Sequence, residues 1–177
     1  MMTSILIPNH TLEEWLENPL PHTEWVDGRI IEKNGRTLKH SNIQAQFAYL
    51  WGNYVELSGQ GGKVYTNVPC RTLKQGRRTD VAYLTPELVA QYGNEKVLPI
   101  SFPLCAEIVS PTDLAEEVIL KAQEYLISGS QEVWLVYPDY WVIVLTQDSK
   151  TIFASGDIVS TQKILLGFSV AIDELLA

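Results

Sequence analysis

The stretch Leu104-Cys105-Ala106-Glu107-Ile108-Val109, followed by Ser110-Pro111, decides the expected fold. A short apolar run that ends at a turn signal is typical of a strand buried on both faces. A helix is expected next, because Asp113 and Glu116 have the spacing of a capping box. Its predicted core positions recur at helical spacing before Gly129 and are Leu114, Val118, Tyr125 and Leu126.

More strands are predicted on both sides of this unit. Residues 132–137 and 141–146 follow it as two strands around a Pro-Asp-Tyr turn, and residues 63–73 and 79–84 precede it around the turn at 74–76. Pro69 indicates that the first of these strands lies at an edge or contains a bulge. Residues 168–172 and a terminal turn end the chain.

The N-terminal part predicts two helices and a hairpin. Thr11 with Glu14 forms a capping box for a short helix that Pro19 ends. Asp27-Gly28 between two apolar runs predicts a β-hairpin over residues 24–31. A second capping box, Ser41 with Gln44, begins an amphipathic helix that ends at Gly59 and whose core positions are Ile43, Phe47, Leu50, Tyr54 and Leu57. This order predicts an α/β fold with a mixed central sheet flanked by helices.

Length and composition are those of one globular domain spanning residues 1–177. Hydrophobic residues make up 46% of the 177 residues and charged residues 19%, and no window approaches the ~18 apolar residues of a membrane span. The first residues lack a basic leader and a long apolar stretch, so we expect a soluble, cytoplasmic protein. Cys70 and Cys105 are predicted to be buried thiols, and no histidine or cysteine spacing indicates zinc, so any metal should be bound by oxygen.

The net charge is a constraint on function. The 13 Lys and Arg against 21 Asp and Glu give a charge of −8, which argues against broad electrostatic attraction to nucleic acid. Carboxylates that bind a metal account for a few of these charges, since bound cations offset them locally.

Asp80 and Glu107 each interrupt an otherwise apolar predicted strand. An ionised carboxylate there is costly unless a cation or hydrogen bonds compensate it. Carboxylates on neighbouring strands can converge, and two of them with a backbone carbonyl and waters suit Mg²⁺ or Mn²⁺. Lys121, on the helix after the Glu107 strand, could fold back over the strand ends and supply the cation that positions a water molecule.

Structural interpretations of the same residues remain open. Asp80 could cap a turn, Glu107 could pair with an arginine, and Lys121 could form a surface pair with Glu117. The only basic cluster flanks the Asp80 strand and is either a phosphate-binding surface or a solvated hairpin turn. Its members are Arg71, Lys74, Arg77 and Arg78.

Six segments, in order along nearly the whole chain, carry a resemblance to a known family. They are Glu24-Trp25-Val26-Asp27-Gly28, His40-Ser41-Asn42, Arg78-Thr79-Asp80-Val81-Ala82, Glu107-Ile108-Val109-Ser110-Pro111-Thr112, Lys121-Ala122-Gln123-Glu124-Tyr125 and Val133-Trp134-Leu135-Val136-Tyr137-Pro138. The chain resembles the Uma-two family, a bacterial group labelled as restriction endonucleases within the PD-(D/E)XK nuclease superfamily. The resemblance implies a restriction-endonuclease-like fold.

The resemblance also implies roles for particular residues. Asp80 and Glu107 would be metal ligands together with the Ile108 carbonyl, and Lys121 would be the catalytic lysine. The superfamily places that lysine two residues after the glutamate, where this chain has Val109, so it would have moved to the following helix. Thr79 replaces the proline that commonly precedes the aspartate.

Two further residues are expected near these. Glu24 matches a recurrent family glutamate and would contact the metal ligands or the metal. His40 is either a contact of this kind or a structural residue at a helix start.

The expected function is Mg²⁺-dependent or Mn²⁺-dependent hydrolysis of DNA phosphodiester bonds. Cutting a duplex uses two active sites, so a homodimer is expected. The alternative is a non-catalytic binding or assembly module with a nuclease fold, which the charge of −8 and Val109 favour. Sequence chemistry does not separate DNA from RNA as the substrate.

Overall fold

The computed structural model describes residues 4–5, 10–33 and 36–177. Its strands are β1 (Ser4–Ile5), β2 (Thr23–Val26), β3 (Arg29–Glu32), β4 (Lys63–Arg71), β5 (Gly76–Leu84), β6 (Leu104–Ile108), β7 (Glu132–Tyr137), β8 (Trp141–Thr146), β9 (Lys150–Ala154), β10 (Ile158–Ser160) and β11 (Ser169–Ala171). Its helices are α1 (Leu12–Glu17), α2 (Leu38–Ser58), α3 (Pro86–Tyr92), α4 (Ala115–Ile127) and α5 (Ile172–Leu175).

A nine-stranded sheet organises the described part of the chain. Its order is β1-β3-β2-β5-β6-β7-β8-β9, and β4 pairs with β5 outside this path. The β6–β7 pair is parallel and the other pairs of this sheet are antiparallel. The predicted mixed α/β fold is therefore confirmed, with a mostly antiparallel sheet.

Strand alternation divides the core into two layers. Ala106, Trp134 and Val136 face the layer that contains the helix α2 residues Phe47 and Trp51. The rings of Phe47, Trp51 and Trp134 meet edge to face, with centroids 5.3 to 5.8 Å apart. The residues that alternate with these along the strands face the second layer of the core, which contains the buried residues of α4. Every β6 residue is buried, as the opening stretch predicted.

Local signals in the sequence are confirmed in several elements. The capping box of Thr11 and Glu14 begins α1. Asp27 and Gly28 form the β2–β3 turn with φ of 49° and 80°, the left-handed values that a tight hairpin turn needs. Helix α2 ends at Gly59, whose φ is 69°. Cys70 and Cys105 are buried free thiols.

The predicted start of helix α2 is wrong. The helix begins at Leu38, because the Thr37 side chain accepts the His40 backbone N–H at 3.1 Å and caps the helix four residues before Ser41. Leu57 is 78% exposed, because the buried stripe continues through Trp51 and Val55 instead.

The predicted start of helix α4 is also wrong. Asp113 accepts the Ser110 backbone N–H at 2.8 Å, so it closes the loop after β6 and does not cap the helix. Leu114 occupies the N-cap position and is 63% exposed, whereas Val118, Tyr125 and Leu126 are buried as predicted.

Four elements have no counterpart in the sequence-based prediction: β1, α3, β9 and β10. Strand β5 also begins earlier than predicted, at Gly76. In the ranges that the structure describes, no helix is both long and apolar enough to cross a membrane.

Two glycines offer a matched test of this packing. A Cβ at Gly76 would lie 2.4 Å from the Trp15 ring, which is fully buried, so Gly76→Ala should lower the free energy of unfolding by ~1–3 kcal/mol. Gly52 lies inside α2 with no atom within 4 Å of such a Cβ, so Gly52→Ala should raise it by about 0.5–1 kcal/mol. Urea unfolding of both variants measures the difference, and equal stabilities would contradict this account.

Candidate active site

One edge of β5 is divided between two strands, and the candidate site lies between them. Strand β4 pairs along β5 from Gly76 to Leu84. On the opposite edge, β6 pairs with residues 81–83 and β2 pairs only at Gly76. Residues 77–80 lie in the interval, and this interval contains Asp80.

Carboxylates take the place of strand partners in this interval. Glu24 Oε1, from β2, accepts the Arg78 backbone N–H at 3.0 Å. Asp80 Oδ2 accepts the Ile108 backbone N–H at 2.9 Å, just beyond the end of the β5–β6 pairing. Both side chains are nearly inaccessible, at 2% and 1% exposure. Two buried acids are thus tolerated partly because they satisfy backbone donors.

Glu107 lies on β6 next to Asp80, and both carboxylates are held in the same way. Glu107 Oε1 accepts the Tyr125 hydroxyl at 2.9 Å, from α4. Its other oxygen, Oε2, and Asp80 Oδ1 both contact the amine of Lys33, at 3.3 and 2.9 Å. One oxygen of each carboxylate is therefore fixed by the protein, and the other faces a shared cation.

Lys121 reaches this group from α4. Its Nζ lies 2.7 Å from Glu24 Oε1 and 3.0 Å from Glu107 Oε2. Its side chain is only 13% exposed, which contradicts a solvated surface pair with Glu117. The lysine sits about two turns into the helix, within reach of the end of β6.

Lys33 is a member of the site that the sequence analysis missed. It follows β3, and its Nζ donates to the Arg78 carbonyl at 2.7 Å as well as to Asp80 and Glu107. Nothing in the local sequence distinguishes it from a surface lysine, because the contact depends on how the hairpin packs against β5.

Helix α2 contributes His40 and Gln44 on one face. His40 Nε2 lies 3.5 Å from Asp80 Oδ2, and Gln44 Nε2 donates to the Asp80 carbonyl at 2.7 Å. His40 thus contacts the site rather than only starting a helix. Gln44 follows His40 by four residues and lies on the same face of α2 as buried Ile43 and Phe47. This spacing could have indicated from the sequence that Gln44 reaches the site.

The basic cluster does not act as one surface. Arg77 lines the cleft and binds Glu124 and Glu24, at 2.5 and 3.2 Å. The Arg78 guanidinium donates to the carbonyls of Leu20, Thr23 and Asn67. Arg71 pairs with Glu13, and neither Arg71 nor Lys74 lines the cleft.

The pKa values of the three buried acids of the cleft shift in different directions. Burial opposes ionisation of Glu24, but Lys121 and Arg77 outweigh it and lower its pKa to about 2. Burial is likewise outweighed at Asp80, where Lys33 and His40 hold the pKa well below its usual range. Burial, with Asp80 and Glu24 nearby, raises the pKa of Glu107 despite the two lysines. Like charges sharing one site cause such a split.

The donor set fits a hard divalent cation. Asp80 Oδ1 and Glu107 Oε2 converge on one positive charge, and Ile108 lines the same cleft. Among the described residues, no three His, Cys, Asp or Glu side chains are grouped so that they could hold a metal ion by themselves. Mg²⁺ needs no such group, because it is usually bound by one or two carboxylates together with waters and substrate oxygens.

The cleft has a volume of about 440 Å³, which is within the range of ligand pockets. Its wall includes Glu24, Lys33, Arg77, Asp80, Glu107 and Lys121. It continues past Val109 to Asp113, and Val109 itself is only 9% exposed. The lysine side chains that reach the cleft therefore come from the β2–β3 hairpin, with Lys33, and from α4, with Lys121, instead of from position 109.

The buried pairing of Glu24 predicts how stability depends on pH. Its lowered pKa means that it stabilises the fold fully above its unfolded pKa, near 4.3, and that this contribution of ~3 kcal/mol is lost as the pH falls towards 2. Glu24→Gln should therefore be less stable than wild type by about that amount at pH 7, and the difference should shrink below pH 4. Urea unfolding in metal-free buffer measures it.

Glu13, which pairs with Arg71 and is exposed, provides the control. Glu13→Gln should change stability little at any pH. A Glu24→Gln difference that is absent at pH 7, or that persists unchanged to pH 3, would contradict the assigned pairing.

The chain was compared with protein families and with known proteins. The family model Uma2, described as "Putative restriction endonuclease", matches residues 10–173. The solved structure of "a putative nuclease belonging to DUF820" from Anabaena variabilis ATCC 29413 has a TM-score of 0.83 at 23% identity, over 95% of this chain and 98% of that chain. A chain of a DrdV–DNA complex has a TM-score of 0.45 at 16% identity, over 66% of this chain and 10% of that chain, too weak a likeness to inform the fold.

A search of curated proteins finds no match. The family match extends from before α1 to the start of α5 and includes every site residue described above. The chain belongs to the Uma2 family.

Proposed function

We propose that this protein is an endonuclease that hydrolyses DNA phosphodiester bonds with Mg²⁺ or Mn²⁺. The observation that carries the proposal is the convergence of Asp80 Oδ1 and Glu107 Oε2 on one cation, with the Lys121 amine 3.0 Å from Glu107, in an open cleft. Family membership and the shared fold support a nuclease.

Asp80, Glu107 and the Ile108 carbonyl would hold the metal ion. Such an ion polarises a phosphoryl oxygen and lowers the pKa of a bound water. The protein already holds the carboxylates in place, since Ile108 N–H fixes Asp80 and the Tyr125 hydroxyl fixes Glu107. With one oxygen of each carboxylate fixed in this way, the other oxygen, Asp80 Oδ1 or Glu107 Oε2, faces a cation.

Lys121 would act on the reacting water and on the phosphate. Its amine lies 3.0 Å from Glu107 Oε2, beside the predicted metal position, and donates a hydrogen bond to Glu24 at 2.7 Å. In the reaction, a water oxygen bonds to phosphorus and the P–O ester bond breaks; the water loses a proton to the solvent, and the leaving oxygen takes up a proton from the solvent. Lys121 orients the water and stabilises the negative charge that develops on the phosphoryl oxygens.

Arg77 adds a second positive charge to the cleft wall, although Glu124 and Glu24 neutralise much of it. Substrate phosphates would therefore meet few free cations, in keeping with the overall charge of −8. A homodimer, with two such clefts, would cut both strands of a duplex.

A non-catalytic binding or assembly module is the second candidate. The observation in its favour is that Lys33 already neutralises Asp80 and Glu107, so the fold does not need a metal to balance these charges. The same assay distinguishes the two functions.

The test incubates the protein with supercoiled plasmid, single-stranded DNA and single-stranded RNA in Mg²⁺, Mn²⁺ or EDTA. Cleavage of DNA should require the metal. Asp80→Asn and Lys121→Met should each lower the rate at least ~100-fold, because each removes a charge that acts on the transition state. Gel analysis of initial rates measures the effect.

Lys163→Met is the control for Lys121, because Lys163 forms an exposed pair with Asp148 outside the cleft. It should cleave at the wild-type rate. Equal cleavage by all variants would reject the assigned site, and no cleavage of any substrate by wild type would favour the non-catalytic module. RNA cleavage without DNA cleavage would change the substrate.

A further inference from the structure

The Lys33 amine occupies a cradle of three oxygen atoms. They are the Arg78 carbonyl at 2.7 Å, Asp80 Oδ1 at 2.9 Å and Glu107 Oε2 at 3.3 Å. Two carboxylates and a backbone carbonyl are also the kinds of ligand that hard divalent cations take in proteins. Two of the three oxygens are those assigned above to the metal.

An ammonium and a metal ion do not share these oxygens. A divalent cation binds carboxylate oxygens at 2.0 to 2.6 Å, whereas the Lys33 amine already lies within hydrogen-bond distance of both. Electrostatic repulsion between the two cations adds to the steric conflict. Binding of one therefore requires that the other leave.

Lys33 has a route out of the cradle. Its side chain is 15% exposed and lines the cleft, so the amine can turn into solvent without crossing the core. Its backbone is held independently, since its N–H donates to the His22 carbonyl at 2.8 Å. A rotation of the side chain alone would open the cradle.

Lys121 is placed differently. It contacts Glu107 Oε2 but not Asp80, and its shorter contact is with Glu24, which is not among the assigned ligands. The protein therefore keeps Lys121 in the cleft by an ion pair that does not depend on the metal position.

We propose that Lys33 is a built-in competitor of the divalent cation: its amine fills the metal position in the metal-free protein, and metal binding displaces it into the cleft. This proposal rests on the metal site of the proposed function. Metal-free protein keeps its buried carboxylates neutralised, which avoids the cost of unpaired buried charges. Metal binding transfers one positive charge to the open cleft, where substrate phosphates would enter.

The first test compares Mn²⁺ affinity, measured by calorimetry and by the loss of the free-Mn²⁺ electron paramagnetic resonance signal, in wild type and Lys33→Met. If the amine leaves the cradle less than about a tenth of the time, wild type binds at least ~tenfold more weakly than the variant. Lys163→Met removes one exposed positive charge elsewhere and should bind like wild type.

The outcomes separate this proposal from the proposed function. Tighter binding by Lys33→Met alone supports the competition. Equal affinity of Lys33→Met and wild type, with both binding Mn²⁺, overturns the competition and leaves the metal site intact. Mn²⁺ binding by neither protein overturns both.

A second measurement uses the wild-type protein, so it holds even if Lys33→Met does not fold. Reductive methylation followed by mass spectrometry reports the accessibility of each lysine with and without saturating Mn²⁺. Labelling of Lys33 should increase with Mn²⁺, while exposed Lys39 and Lys163 should not change. Lys33 labelling that does not respond to bound Mn²⁺ would overturn the proposal.

Discussion

The site depends on one interrupted edge of β5. Strand β6 leaves this edge after Val81 and β2 meets it only at Gly76, and the carboxylates of Glu24 and Asp80 accept the Arg78 and Ile108 backbone N–H groups there. The same carboxylates cannot be buried without cations, so the gap draws lysines from the hairpin and from α4. The break in strand pairing therefore leaves space for a charged cleft in an otherwise apolar sheet.

The electrostatic balance of this cleft explains how an acidic protein could contain the phosphodiester-cleaving site that we propose. Glu24, Asp80 and Glu107 face Lys33, Lys121 and Arg77, and burial together with the two neighbouring acids still raises the pKa of Glu107. Such a site favours an added cation more than an added anion. In the proposed function, a divalent ion would therefore bind before the nucleic acid.

The sequence was informative where a charged residue occurs within an apolar strand. Asp80 and Glu107 stand out because each interrupts an apolar strand, and the structure brings them onto one cation. Lys121 was suggested mainly by family resemblance, and its amine does reach Glu107 past the buried Val109. The helix start at Ser41 was mispredicted because Thr37 caps the helix instead, and the start at Asp113 because this side chain accepts the Ser110 backbone N–H.

By itself, the sequence determined the local elements and the two anomalous acids, because periodicity, capping and turn residues act over a few positions along the chain. Only the tertiary structure decided that β6 and β2 share one edge of β5, and that Lys33 ends between Asp80 and Glu107. The Lys33–Glu107 contact joins residues 74 positions apart, and its energy comes from the attraction between opposite charges that the fold brings together, which no local pattern encodes.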